Sequence, residues 1–454
     1  MGRANLSRRD FLRVSAGAAA GMVLAACQPQ VVEVEKEVEV TREVDVEVEV
    51  PGEEVIVEVT STPPPQGKPE LVFYSRNGNA QLWIDKYLES HDNLEISVVL
   101  QPPDVRIESL ISLIAAGTAP DTIAMGGNFP GMLGEMGALV DLEDLQPVQD
   151  ALPLYSTTLM EAHNGMGNYN GKILGLSFWM DMSVMFYNKT FLEEAGGDPE
   201  VGVRSWDDII TYGKAATKDD RVGFALGLVN GFLFWPWVWA QGQYWNEDWT
   251  EPSADQQPFI DMVQFARDIV CVHKITNDAA ATDWGTMMNV FNNQKAMLME
   301  MGGGEVGLVR SEFPELWEVL GVCPIPGPKE GQKSSYVGGD VACVSVQTEY
   351  LNESSELVVW LTSSEDAITI TGELGYMPSC PYGVDLPVFQ QDLDIYQTFW
   401  DTLEYGVAAP NHPKQEEVQD AAMQAYNEAI LCEKPVDQIV ADHQKELTKI
   451  LQRA

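Results

Sequence analysis

The sequence predicts an α/β protein folded as two lobes. Three observations carry that reading. Short apolar runs alternate with helical ones from residue 71 onward. The chain's 454 residues are too many for one ordinary domain and suit two lobes plus appendages. With 45% hydrophobic and 9% aromatic residues, it can build more than one sizeable core.

Residues 71–74 form the first expected strand, followed by a helix over 79–90 and a second strand over 94–100. Asp104 then caps a helix whose Ile107, Leu110, Ile111 and Ile114 share one face at i, i+3, i+4, i+7. Gly117 stops it, and 121–125 make a third strand. Strand, helix, strand, helix, strand with short links implies right-handed crossovers and a largely parallel sheet. A second lobe begins near residue 183, with a strand over 184–187 and a helix over 191–195. Ser205, with Asp208 three residues on, caps the next helix. Helices over 256–271 and 282–293 follow, with strands near 296–301, 319–325 and 341–346. Val436, Ile439, Val440, His443, Leu447, Ile450 and Leu451 mark one face of a C-terminal helix.

The first 67 residues stand apart. Ser7-Arg8-Arg9-Asp10-Phe11-Leu12-Arg13 precedes a weakly apolar stretch over 14–26, too short for a permanent membrane span. It resembles the twin-arginine signal that exports already folded proteins. Leu24-Ala25-Ala26-Cys27 resembles a lipobox, which implies that Cys27 becomes the lipidated first residue of a membrane-anchored, extracellular or periplasmic protein. From 31 to 60 valine alternates with acid, and eleven acids face only Lys36 and Arg42. Alternation alone reads as a strand, but like charges along the whole polar face favour a solvated tether over 27–67, closed by Pro63-Pro64-Pro65.

Composition excludes several classes. Sixty-nine acids against 27 basic residues give a formal charge of −42, which repels nucleic acid and anionic lipid headgroups. The six cysteines include no CxxC, and the five histidines never stand at metal-ligand spacing, so neither metal nor cofactor is expected. Besides Cys27, the cysteines Cys271, Cys323, Cys343, Cys380 and Cys432 allow at most two disulfides. Cys323 with Cys343, across two expected strands, is the favoured pair, and small buried hydrophobes are the alternative reading.

Several segments in order resemble the bacterial extracellular solute-binding proteins (family 1, the sugar type) of ABC transporters. They are SLISLIAAGTAPDTIAM over 109–125, GALVDLEDL over 137–145, YNGKILGL over 169–176, MFYNKTF over 185–191, Ser205-Trp206-Asp207-Asp208, 291–301 and Gly338-Gly339. The likeness runs over roughly 69–450. It implies the type II periplasmic-binding-protein fold: two α/β lobes, strands crossing between them, and a ligand cleft. Lobe 1 is expected over 68–180 with about 345–385, and lobe 2 over 181–340 with about 386–454. Crossings are expected near 179–183, 339–345 and 380–390. The implied protein is a monomer that captures a solute and docks on the permease subunits of an importer, touching the membrane only through its lipid.

A sugar needs aromatic faces for its C–H groups and charged or amide side chains for its hydroxyls. Strand ends supply Tyr74, Arg76, Asn77, Asp104 and Asn128. Trp179 and Asp181 sit at the first expected crossing, and Asp340 at the second. For Asp181 the alternative is a strand-end charge in water. Trp235, Trp237 and Tyr244 belong to a cluster with Trp239, Trp245 and Trp249. Singly each ring reads equally well as core; together they are expected to give the cleft at least one ring. The glycine run 302–304 lets backbone approach closely, but departs from the family, where an aromatic commonly follows the glycine. The rivals are a secreted glycan hydrolase, a binder of a non-sugar solute and a tethered adhesin. No Gly-x-Ser-x-Gly, His-Glu-x-x-His or phosphate-loop motif supports other enzyme classes.

Overall fold

The computed structural model describes residues 68–101, 107–154, 165–228, 231–242, 254–408 and 412–452. The export signal, Cys27, the tether, Asp104, Tyr244, Trp245 and Trp249 lie outside the described residues.

The chain first lays down strand β1 (Glu70–Ser75), helix α1 (Ala80–Leu88), strand β2 (Glu95–Leu100), helix α2 (Glu108–Ala115) and strand β3 (Thr122–Gly126). Both β2 and β3 pair with β1 in parallel, as their helical connections require. Trp83, Ile84 and Tyr87 are buried on one face of α1, which seats it on the sheet. Strand β4 (Leu176–Met182) closes this first run. One residue later, at Ser183, the chain leaves for a second sheet.

That sheet holds β5 (Val184–Asn188), β6 (Val222–Ala225), β7 (Ala296–Met301) and β8 (Leu320–Cys323). Its spatial order is β8–β5–β7–β6, with only β6 and β7 parallel. Helix α3 (Trp206–Ala216) starts as expected, with Ser205 Oγ accepting the Asp208 N–H at 3.2 Å. Helices α4 (Gly231–Trp239), α5 (Gln257–Arg267), α6 (Trp284–Asn292) and α7 (Gly303–Glu312) surround the sheet. The sequence of α4, GFLFWPWVW, has no polar side, and eight of its nine residues are buried.

Strand β9 (Tyr336–Val344) returns to the first sheet, entering a few residues earlier than the expected crossing. It lies between β3 and β4 and runs antiparallel to both. Helices α8 (Leu351–Ser363) and α9 (Glu365–Glu373) and the short strands β10 (Met377–Pro378) and β11 (Val407–Ala408) complete this lobe. The seven-stranded sheet is therefore mixed. Strands laid down before the crossing share one direction; those added after it run the other way. A strand returning from the second lobe enters at the cleft side, which reverses its direction. Helices α10 (Gln415–Ile430) and α11 (Val436–Gln452) end the chain against α5 in the second lobe.

The disulfide joins Cys271 to Cys432, correcting the expected Cys323–Cys343 pair. Cys323 lies on β8 of one sheet and Cys343 on β9 of the other, both as buried free thiols with Cys380.

Candidate ligand-binding cleft

The carboxyl ends of β1, β2 and β3 present Arg76, Gln101 and Asn128 at one side of a cleft of about 560 Å³. Trp179 and Asp181 on β4, Gly338 and Gly339 on β9, and Tyr376 line its floor. The second lobe contributes Phe232 from α4, Trp284 and Met288 from α6, Gly302, Gly304 and Glu305 at the start of α7, and Glu416 and Gln419 from α10.

The floor is built outward from Asp340. This fully buried carboxylate accepts the Arg76 Nε–H at 2.5 Å, while its Oδ2 has no partner among the described residues. Burial pushes its pKa up, and Arg76 pulls it back. The Arg76 guanidinium lies 5.4 Å from the centroid of the Trp179 ring. Trp179 in turn stacks on Tyr376 with centroids 4.2 Å apart. Trp179 is buried to 4% exposure, and its indole N–H lacks a partner among the described residues. Tyr376 bonds to the side chain of Asn77.

Asp181 does more than end a strand. Its Oδ1 accepts the Gly303 N–H at 2.5 Å, and the Gly304 N–H adds a second bond. A carboxylate from the first lobe's sheet thus caps the N-terminus of α7, which has no side-chain cap of its own. A Cβ at Gly302 would sit 2.4 Å from Asp181 Oδ1, so a larger residue there would have to displace that carboxylate. The glycine run does admit a close approach, and Asp181 is what approaches. Burial raises the Asp181 pKa to about 7, against the lowering pull of the Gly303 N–H and Arg76. Tyr376 also reaches this corner: a Cβ on Gly304 would lie 2.8 Å from its ring.

Across the cleft, Asn128 Nδ2 donates to Glu416 Oε1. Glu305 accepts from Asn292 Nδ2 at 2.5 Å, and burial pushes its pKa up. Arg76 is the only cation lining the cleft among the described residues, and Asp340 already engages it.

Of the residues expected from sequence, Arg76, Asn128, Trp179 and Asp181 line the cleft together. Asp340 lies directly beneath, bonded to Arg76. Tyr74 is instead buried in the core, with its hydroxyl 2.9 Å from Ser109 Oγ. Asn77 stands behind the floor and accepts the Asn79 N–H at 2.9 Å. Trp235 and Trp237 do not reach the cleft. They are packed into the second lobe because α4 is apolar on every side, and the Trp237 N–H donates to Glu300 at 2.6 Å. The glycine run expected to admit a close approach lines the cleft through Gly302 and Gly304, beside Glu305, whereas Phe232, Trp284 and Met301, at helix starts or a strand end of the second lobe, were not singled out. Tyr376, Glu416 and Gln419 carried no strand-end signal. Among the described residues, no three His, Cys, Asp or Glu side chains gather as a metal site, and no helix is long and apolar enough to cross a membrane.

Known proteins share this architecture. The chain is 27% identical over 357 residues to an arabinooligosaccharide-binding protein of Halalkalibacterium halodurans, covering 74% of this chain and 77% of that one. A second arabinooligosaccharide-binding protein, from Bacillus subtilis, is 24% identical over 314 residues, covering 66% and 70%. The maltose-bound T. maritima MalE3 superposes with a TM-score of 0.74 at 19% identity, over 84% of this chain and 99% of that one. The fold is therefore that of the two-lobe periplasmic binding proteins. The twin-arginine translocation signal matches residues 5–25, which marks the chain for export. The bacterial extracellular solute-binding protein model matches residues 83–395, and the chain belongs to that family.

Proposed function

We propose that this protein captures a neutral mono- or oligosaccharide in the cleft and delivers it, unchanged, to the permease of an ABC-type importer. The observation that carries this is the floor: a stacked Trp179–Tyr376 pair whose indole N–H has no partner among the described residues, set beside Asp181 and Arg76. An aromatic plane receives the C–H face of a sugar ring, and the N–H and carboxylate receive its hydroxyls. The relatives that bind arabinooligosaccharides point to the same ligand class. With Arg76 already engaged, the cleft offers an acidic ligand no free cation among the described residues. The two lobes close on the ligand, and the closed form docks as a monomer. A lipid on Cys27 holds the exported protein at the outer face of the membrane.

Thermal shift against neutral mono- and oligosaccharides, arabinotriose included, tests the reading. A bound ligand at a hundred times its Kd stabilises by about 2.7 kcal/mol. The sugar should be recovered intact. Stabilisation only by amino acids, polyamines or metal ions would remove the sugar assignment and leave capture standing. Shorter sugar products would instead make the protein an enzyme. For the anchor, Cys27→Ala should release the protein from membranes into the soluble fraction; continued partition into detergent extracts would show another attachment.

A further inference from the structure

The described residues hold five cysteines, and only Cys271 and Cys432 are joined, across 161 residues of sequence. Cys271 is partly exposed just beyond α5, and Cys432 is exposed just beyond α10. Their neighbours Val272 and Leu431 are 63% and 49% exposed, which places the bond at the surface. Cys323, Cys343 and Cys380 are buried in the two cores. Burial pushes the Cys323 and Cys380 thiols up to about 12, and that of Cys343 up as well.

The helices that carry the bond need no help to meet. Phe265 and Ile269 on one side and Tyr426, Ala429 and Ile430 on the other are buried, so apolar packing already brings the two helix ends together. The twin-arginine match adds a constraint of order. Such a signal serves proteins already folded, and folding then takes place in a reducing compartment.

We infer that this chain completes its fold with its thiols reduced, and that the Cys271–Cys432 bond is added after export by a protein disulfide donor, which the Cys432 thiolate attacks first. The Cys432 thiolate attacks the donor's disulfide, forming a mixed disulfide and freeing one donor sulfur as thiolate. The Cys271 thiolate then attacks the Cys432 sulfur and expels the donor's second sulfur. Two protons leave the cysteines, and both electrons end on the donor, now a dithiol. The fold prevents wrong pairing: Cys323, Cys343 and Cys380 are inaccessible and largely un-ionised before any oxidant is met. This inference is independent of what the cleft binds.

The full chain carrying Arg8→Lys, Arg9→Lys and Cys27→Ser, retained inside the cell and purified without oxygen, provides the test. The reduced protein should melt cooperatively. Maleimide should label Cys271 and Cys432 in the native state and the other three only in denaturant. Oxidised glutathione should then form the native bond. With Cys271→Ser it should leave a stable glutathione adduct on Cys432, formed at least tenfold faster than the adduct on Cys271 in Cys432→Ser. With the native signal restored, the Cys271→Ser, Cys432→Ser double variant should still be exported and melt roughly 5 °C lower. A reduced chain without a cooperative melt, loss of export in the double variant, or equally fast labelling of the buried thiols would each overturn the order proposed. Equal adduct rates at the two positions would overturn first attack by Cys432.

Discussion

Two tryptophan–carboxylate groups lie in this molecule, one in the second lobe's core and one on the cleft floor. Trp237 and Glu300 form the first. The indole N–H donates to a buried carboxyl that burial pushes well above the usual carboxylate range. Trp179, with Asp340 and Asp181, forms the second. Trp179 and Asp340 are opposite one another on β4 and β9, yet the indole N–H and Asp340 Oδ2 both stay without a partner among the described residues. Exposure does not separate the two tryptophans, at 7% and 4%. Each group leaves a carboxyl oxygen without a partner among the described residues, Glu300 Oε1 and Asp340 Oδ2; what separates them is that Trp179 lines the cleft with its N–H unspent, whereas the Trp237 N–H is engaged in the core. Trp239 sharpens the rule: its N–H also lacks a partner among the described residues, but it does not line the cleft.

The largest effect should come from the core group. Trp237→Ala removes a ring packed against Phe265 and leaves Glu300 buried without its donor. A loss of about 3–5 kcal/mol in denaturant unfolding is expected, with ligand affinity of the protein that remains folded changed less than about twofold. The cleft group should respond the opposite way. Trp179→Ala should weaken binding of arabinotriose, or of the sugar the screen returns, by about 2–3 kcal/mol, roughly 30- to 150-fold by calorimetric titration. If Trp237→Ala abolished binding in folded protein, or Trp179→Ala left affinity unchanged, the distinction drawn here would fail.

The parts of the molecule governed by local rules were legible. β1 to β3 and the Ser205 cap follow from periodicity and capping, which neighbouring residues determine, whereas the crossing beside Ser183 was placed by the family resemblance. Strand ends then gave Arg76 and Asn128, because a parallel block directs its loops to one edge. Trp235 and Trp237 were misplaced although their burial was readable: α4 is apolar on every side, so its rings pack into the core and it shows the cleft only Gly231 and Phe232 at its start. Tyr376 and Glu416 arrive from segments about 200 and 290 residues away from the strand ends they face, a juxtaposition that only tertiary packing creates. The cysteine pairing was illegible for the same reason, since it depends on where α5 and α10 end relative to each other.

The smallest effect concerns Asp181, where the two readings of the sequence meet. A strand-end carboxylate in water would contribute little when removed, but this one caps α7 across the lobes. Asp181→Ala would lose that cap and cost the empty protein about 1 kcal/mol, confusing stability with binding. Asp181→Asn separates them, because an amide oxygen still accepts the Gly303 N–H while the charge is gone. The folded carboxyl titrates near 7, against 3.8 without the fold's influence. Between those values the folded state holds the proton more tightly, so through this group stability falls as pH rises from about 4 to 7 and stays low above it. At pH 8 the asparagine variant should therefore be more stable than the parent, the gap opening as pH rises from about 4 to 7, and at pH 3.5 the two should be alike. Arg76, Asp340 and Tyr376 face the same group, and their charges enter both proteins equally. Binding runs the other way. A sugar hydroxyl donating to the ionised oxygen favours the charged form, so binding between pH 5 and 7 should release a proton, and affinity should rise with pH. The variant should lose that slope and bind about tenfold more weakly at pH 8. Titrations in buffers of different ionisation enthalpy measure the proton directly. No proton released by the parent, or the same slope in both proteins, would take Asp181 out of the ligand site and leave it as the cap alone.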